Sequence, residues 1–245
     1  GRFGFDKLGL FKIKVFLQAG GKLPANLVTK LATECEKQDK KFIVMYGQTE
    51  AGPRIAYLPH FLAKKHPNTV GIPIPGVRCW IEDDLGNIIE ENDTPGILKI
   101  ESPAVMQGYC REQADLSRGD DQRGFFNTGD IAKWNENNLL EIIGRADRMV
   151  KVGGIRVELD HLEIKLKELD LPIWHVVGRE NLIYVLVHIG VCQDEITQAL
   201  KEVVDIPIPY IHILEFDKDE IPRTENGKVA LKKTLEICDK IFGEA

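Results

Sequence analysis

The sequence has few of the features that would commit it to a membrane, a nucleic acid or a metal cluster. Its longest stretch without Asp, Glu, Lys or Arg is Asn181–Gln193, well short of the roughly 20 apolar residues a spanning helix needs. No basic-then-apolar leader stands at the start. The 32 basic residues face 38 acidic ones, for a formal charge of −6, so no positive surplus exists to attract a nucleic acid. Cys35, Cys79, Cys110, Cys192 and Cys238 lie far apart, an odd set with no CxxC pair. Neither a disulfide framework nor a zinc site is expected from them, and a cytoplasmic location is. The chain also lacks GxxxxGK[ST], a GxGxxG after a strand, HExxH and GxSxG. It opens Gly1-Arg2-Phe3 with no initiator Met, and we expect it to be cut from a longer protein.

What is present reads as globular, with 43% apolar and 29% charged residues. At ~150 residues per domain, 245 residues make one large domain or two modest ones. The first third has an α/β pattern. Phe11, Ile13 and Val15 alternate with lysines and lead into Phe16-Leu17, a predicted strand. Leu27, Val28, Leu31, Ala32 and Cys35 share one helix face, and Phe42–Tyr46 is an apolar run of strand length. Strand, helix, strand predicts a parallel pair whose ends share one sheet edge. Gly20-Gly21-Lys22 and Gly47-Gln48-Thr49-Glu50 then fall at the edge where ligands of open α/β sheets collect.

The middle changes character. Gly71–Gly76 reads as a rigid Pro/Gly connector. Arg78–Glu82, Ile97–Glu101, Ile131–Trp134 and Leu139–Ile143 are short strands separated by turn signals, a small antiparallel sheet or barrel. The last hundred residues read as α+β. Leu159, Leu162, Leu166 and Leu169 mark one helix, and Ile196, Ala199, Leu200, Val203 and Val204 a second, capped by Asp194. Trp174–Val177, Leu182–His188 and Pro209–Phe216 are strands, Glu220–Lys228 is a polar loop, and Leu231–Ile241 is a closing helix.

Four clusters can carry chemistry. In Tyr46-Gly47-Gln48-Thr49-Glu50 an aromatic, a hydroxyl and a carboxylate sit at a strand end, able to meet a base, a phosphate and Mg²⁺. Read alone, Thr49-Glu50 is equally a capped helix start. Asn127-Thr128-Gly129-Asp130 reads as a tight turn ending in an acid that can bridge ribose hydroxyls, or simply bond to nearby backbone. Gly144–Arg156 sets Arg145 and Arg156 around Gly153-Gly154, suited to anionic oxygens and close backbone approach, or to a solvated hairpin. Pro222–Lys228 holds an Asn-Gly turn that projects Lys228 from a loop tip.

In order and spacing, these clusters resemble the adenylate-forming enzymes: acyl- and aryl-CoA synthetases, peptide-synthetase adenylation domains and firefly-type luciferases. The resemblance runs from about Phe16 to about Lys233. It includes Gly20-Gly21-Lys22-Leu23-Pro24, Tyr-Gly-Gln-Thr-Glu, Gly108-Tyr109, Gly124–Asp130, the Gly-Arg-x-Asp to Gly-Gly-x-Arg hairpin and Pro-Arg-Thr-x-x-Gly-Lys. It implies that residues 1–146 are the C-terminal portion of a large AMP-binding domain. Residues 147–245 would be a small mobile α+β domain carrying the hinge and the catalytic lysine.

The resemblance also implies roles. Tyr46 and the Gly20–Gly21 backbone would sandwich adenine, Thr49 would contact the α-phosphate, and Glu50 would bind Mg²⁺. Asp130, supported by Arg145, would hold the ribose, and Asp147 would be the hinge. Arg156 and Gly153-Gly154 would face the site during thioester formation, and Lys228 during adenylation. The implied reaction is ATP-dependent activation of a small-molecule carboxylic acid to an acyl-adenylate, then transfer to a thiol. That thiol would belong to coenzyme A or to the phosphopantetheine of an acyl carrier protein. Gln48 and Ala51-Gly52-Pro53 would form part of the acyl pocket wall.

The family's Ser/Thr/Gly-rich phosphate loop has no counterpart in these residues, so the chain alone is expected to be inactive. Arg148 departs from the second acid many relatives carry there. The alternative is a non-catalytic nucleotide-binding or interaction module.

Overall fold

A computed structural model of the chain describes residues 12–203, 206–224, 227 and 229–243. Val204, Lys228 and the asparagine of the Asn-Gly turn, named above, lie outside the described residues. The chain divides into two compact units, Gly1–Ile143 and Gly144–Ala245.

The first unit contains two sheets. One has the order β1 (Val15–Gln18), β2 (Lys41–Gln48), β3 (Gly52–Leu58), β4 (Ile72–Pro73). β1 and β2 run parallel, linked by α1 (Ala25–Lys37), and β3 and β4 are antiparallel to their neighbours. Val28, Ala32 and Cys35 turn the apolar face of α1 inward, where Phe42, Val44 and Leu58 meet it. β1 is shorter than its alternation predicts. Its ladder to β2 opens with Val15 opposite Lys41, so Ile13 and Lys14 lie before the strand, and Phe11 is outside the described residues. The Gly71–Gly76 connector contributes only the two-residue edge strand β4, a place where proline's missing N–H is tolerated.

The second sheet is β5 (Arg78–Glu82), β6 (Gly96–Glu101), β7 (Phe125–Trp134), β8 (Leu140–Arg145). Ile55, Ala56, Ile81, Leu98, Ile100, Ala132 and Leu140 form one core shared by both sheets. An antiparallel bridge between Gly71 and Leu140 ties the sheets together.

Asn127–Asp130 is therefore not a turn, as the sequence reading had it, but the middle of the ten-residue strand β7. Ile97 faces Ile131 while Lys99 faces Asn127, so β7 bulges there, and Gly129 takes the left-handed φ of 68°. A glycine bulge inside a strand carries the same residue types as a turn. Its effect is to bury both Thr128 and Asp130, at 2% and 5% exposure.

In the second unit, β9 (Met149–Val152) and β10 (Ile155–Glu158) form a hairpin closed by Gly153-Gly154. Beyond it, β11 (Ile173–Arg179), β12 (Leu182–His188) and β13 (Ile211–Phe216) make a sheet with β12 central, antiparallel to β11 and parallel to β13. Every residue of β12 except His188 is buried, as expected of a strand covered on both faces. Ile183, Val185 and Val187 pack with α2 (Leu159–Glu168) and α3 (Gln193–Val203). Leu182, Tyr184 and Leu186 pack with α4 (Leu231–Gly243).

Three local readings change. Leu169 is the residue after α2 and 49% exposed, because the helix ends one residue earlier than the leucine spacing implied. Asp194 lies inside the first turn of α3 rather than capping it. Pro209 and Tyr210 belong to a short 3₁₀ turn before β13, since each proline removes a ladder donor. Among the described residues, no helix is long and apolar enough to cross a membrane.

Candidate functional site

The YGQTE segment ends β2 and turns into β3 through a 3₁₀ turn at Thr49–Ala51. Gln48 precedes that turn, and no side chain caps it, so the capped helix start considered for Thr49-Glu50 is not formed. Gly47 is demanded by packing. A Cβ there would lie 2.4 Å from the backbone carbon of Pro53, a clash that rigid backbone cannot relieve.

With β2 and β3 this close, the shared core brings β7 against the end of β2. Tyr46 Oη donates to Asp130 Oδ2 at 2.5 Å, and Gln48 Nε2 donates to the same oxygen at 2.7 Å. Gln48 Nε2 also reaches the Thr128 carbonyl at 3.0 Å and Tyr46 Oη at 3.1 Å. Thr128 Oγ1 donates to Leu98 O and receives the Asp130 N–H. Burial, then the neighbouring Asp130 charge, pushes the Tyr46 phenol well above its ordinary value, so it stays a neutral donor. The bulge thus places a nearly buried carboxylate beside a neutral tyrosine ring.

Glu50 lies at the same turn and is held from both ends. Its carbonyl accepts the Met106 N–H at 2.8 Å, and its Oε1 accepts from Tyr109 Oη at 2.8 Å. The motif residue Tyr109, given no role from sequence, is therefore the Glu50 carboxylate's partner. Among the described residues no three His, Cys, Asp or Glu side chains gather to hold a metal. Gly20, with φ 85°, and Gly21 follow β1 directly, and a Cβ on either would meet nothing within 4 Å. The side-chain amide of Gln18 donates to the Gly21 carbonyl.

In the second unit Arg145 Nε lies 3.3 Å from Asp147 Oδ1, with side chains 46% and 67% exposed. Asp147 sits in a 3₁₀ turn spanning Ala146–Arg148. Gly153 and Gly154 have φ values of 55° and 88°, and Arg156 pairs with Lys151 across the hairpin. Gly227 N–H bonds to Thr224 O at 2.8 Å, and Arg223 pairs with Val229. Lys228 itself is outside the described residues.

Besides Tyr109, sequence reasoning missed the contacts of two residues. Gln48 was assigned to an acyl pocket wall, yet its amide turns to Asp130. Arg148 was noted only as a departure, yet it is 5% exposed and its Nε lies 2.6 Å from Asp160 Oδ1. The polar type of residue 48 inside a strand end was the available signal for the first. For Arg148 no sequence signal distinguished burial from exposure.

A protein-family model described as AMP-binding enzyme matches residues 5–110. Over those residues, less than half of the chain, the sequence is similar to this family. Bacitracin synthase 2 of Bacillus licheniformis is 30% identical over 82% of this chain and 8% of its own length. A long-chain-fatty-acid–CoA ligase of Yersinia pestis is 28% identical over 87% of this chain and 38% of its own. Bacillus subtilis o-succinylbenzoate-CoA synthetase, solved in complex with ATP and a magnesium ion, superposes with a TM-score of 0.67. That match is 23% identical and covers 91% of this chain and 46% of the synthetase. The mixed α/β fold is thus that of the adenylate-forming enzymes, and the chain spans less than half the length of these relatives.

Proposed function

We propose that this chain supplies the adenosine- and metal-binding portion and the mobile C-terminal domain of an AMP-forming acid–thiol ligase. The observation that carries the reading is the Tyr46–Gln48–Asp130 cluster, a nearly buried acceptor beside an aromatic ring at a sheet edge. A buried carboxylate accepts two vicinal hydroxyls well, and a neutral tyrosine ring offers a face to a purine. Tyr46 and the open backbone at Gly20-Gly21 take adenine, and Asp130, supported by Arg145, takes the ribose. Thr49 meets the α-phosphate.

Mg²⁺ held by Glu50 would offset the negative charge gathered as a carboxylate approaches that phosphate. Lys228 serves the same charge from the C-terminal domain. Asp147 is the hinge, and Gly153-Gly154 with Arg156 serve thioester formation. The acceptor is the thiol of coenzyme A or of a carrier protein's phosphopantetheine.

The chain contains no Ser/Thr/Gly-rich phosphate loop, so alone it does not activate acids. Acid-dependent ATP–pyrophosphate exchange by the purified 245-residue chain would overturn that statement. In a complete enzyme containing the chain, Lys228→Ala should lower exchange about 10³-fold. Thioester formation from supplied acyl-AMP should stay near its original rate. Equal loss of both half-reactions would contradict separate roles for Lys228 and the glycine hairpin, and a complete enzyme without exchange would favour a non-catalytic binding module.

A further inference from the structure

We propose that Gln48 is the positioning residue that makes Asp130 selective for a ribose diol; this rests on the nucleotide reading of the cluster. The geometry around Gln48 is one of converging acceptors. Asp130 Oδ2 at 2.7 Å, the Thr128 carbonyl at 3.0 Å and the Tyr46 hydroxyl oxygen at 3.1 Å all face its Nε2. Neither a carboxylate nor a carbonyl has a proton to give, so only a donor at residue 48 satisfies them. Tyr46 spends its single hydroxyl proton on Asp130 Oδ2, which leaves its oxygen free to accept from Gln48. Two donors from one strand therefore grip one carboxylate oxygen, and the Thr128 carbonyl fastens the same amide to β7.

That grip sets the plane of the carboxylate. At 5% exposure, Asp130 has little water to replace a lost donor, so a carboxylate with one donor fewer is free to turn. A ligand offering two hydroxyl donors gains most from an acceptor already fixed in place, because no ordering remains to be done. Gln48 thus acts through Asp130.

The test compares AMP with 2′,3′-dideoxy-AMP by calorimetric titration of the full chain, with thermal melting of every variant. The unaltered chain should prefer AMP, and Asp130→Asn should remove most of that preference. Gln48→Met, similar in size but without donors, should lower the preference about 10-fold. Its affinity for dideoxy-AMP should stay within about 2-fold. Gln48→His, which keeps an N–H, should retain an intermediate preference. A Gln48→Met chain with the full preference overturns the inference and leaves the nucleotide reading standing. Parallel loss of both affinities with a lowered melting temperature makes Gln48 a scaffold residue and also overturns it. An unaltered chain indifferent to the diol overturns the nucleotide reading and this inference together.

Discussion

The two units use their charges in opposite ways. In the first, the proposed ligand-binding acid, Asp130, is nearly buried and gripped by Tyr46 and Gln48. In the second, the proposed hinge and its neighbour, Asp147 and Arg145, are solvated and meet in a loose pair at 3.3 Å. The buried charges there belong to the scaffold. Arg148 joins Asp160 at 2.6 Å and approaches Glu163 at 3.7 Å, and Glu163 also receives Lys167, His175 and the Val176 N–H. A fixed acceptor suits a group that must hold one ligand. Exposed pairs are worth little and exchange partners easily, which suits residues proposed to serve more than one pose.

The sharpest way to break this contrast is Arg148→Met. Removing the guanidinium leaves Glu163 and Asp160 short of a partner in a mostly buried network, at a cost of about 3 kcal/mol. Urea unfolding followed by Trp174 fluorescence should show it, and a loss below about 0.5 kcal/mol would make this cation as dispensable as a surface one.

Glu163→Gln should cost about 2 kcal/mol near neutral pH, with a defined pH dependence. Burial alone would raise the Glu163 pKa, but hydrogen bonds from His175, Lys167 and the Val176 N–H outweigh it and bring the value from 4.5 to about 2. A depressed carboxylate stabilises the fold above its unfolded pKa and loses that contribution as the pH falls through the folded value. The difference between Glu163 and Gln should therefore be full above about pH 5 and fade toward pH 2. Unfolding measured at pH 7, 4 and 3 checks this, and a gap that widens on acidification contradicts it.

The smallest effect tests the first unit. Tyr109→Phe removes the hydroxyl that holds Glu50 Oε1. Outer partners of metal ligands contribute about 10-fold to affinity at the lower end. In a complete enzyme the Mg²⁺ needed for half-maximal exchange, and the Mn²⁺ dissociation constant by paramagnetic resonance, should both rise about that much. Unchanged metal binding would leave the Tyr109 contact without a role at Glu50.

Much of the fold was legible because its signals are periodic. The apolar face of α1, the continuous run in β2 and the turn signals that bound β5 each predicted their element. Asn127–Asp130 was misread because a glycine bulge and a turn use the same residues, and only pairing with β6 tells them apart. Leu169 matched the leucine spacing of α2 but lies past its end. The motif residues Tyr46, Glu50 and Asp130 stood out by type and order. Their partners Gln48 and Tyr109 did not, because hydrogen bonds across β2, β7 and the loop after β6 leave no mark in local sequence.

The sequence by itself determined the family resemblance, the α/β to α+β progression, and the lack of a basic surface, a cysteine framework or a long apolar run. Those properties reside in composition, spacing and short motifs. Only the tertiary structure decided that Asp130 is a nearly buried, doubly gripped acceptor and that Arg148 is a buried scaffold cation. Burial and donor direction arise where segments far apart in the chain pack together, and no single segment carries them.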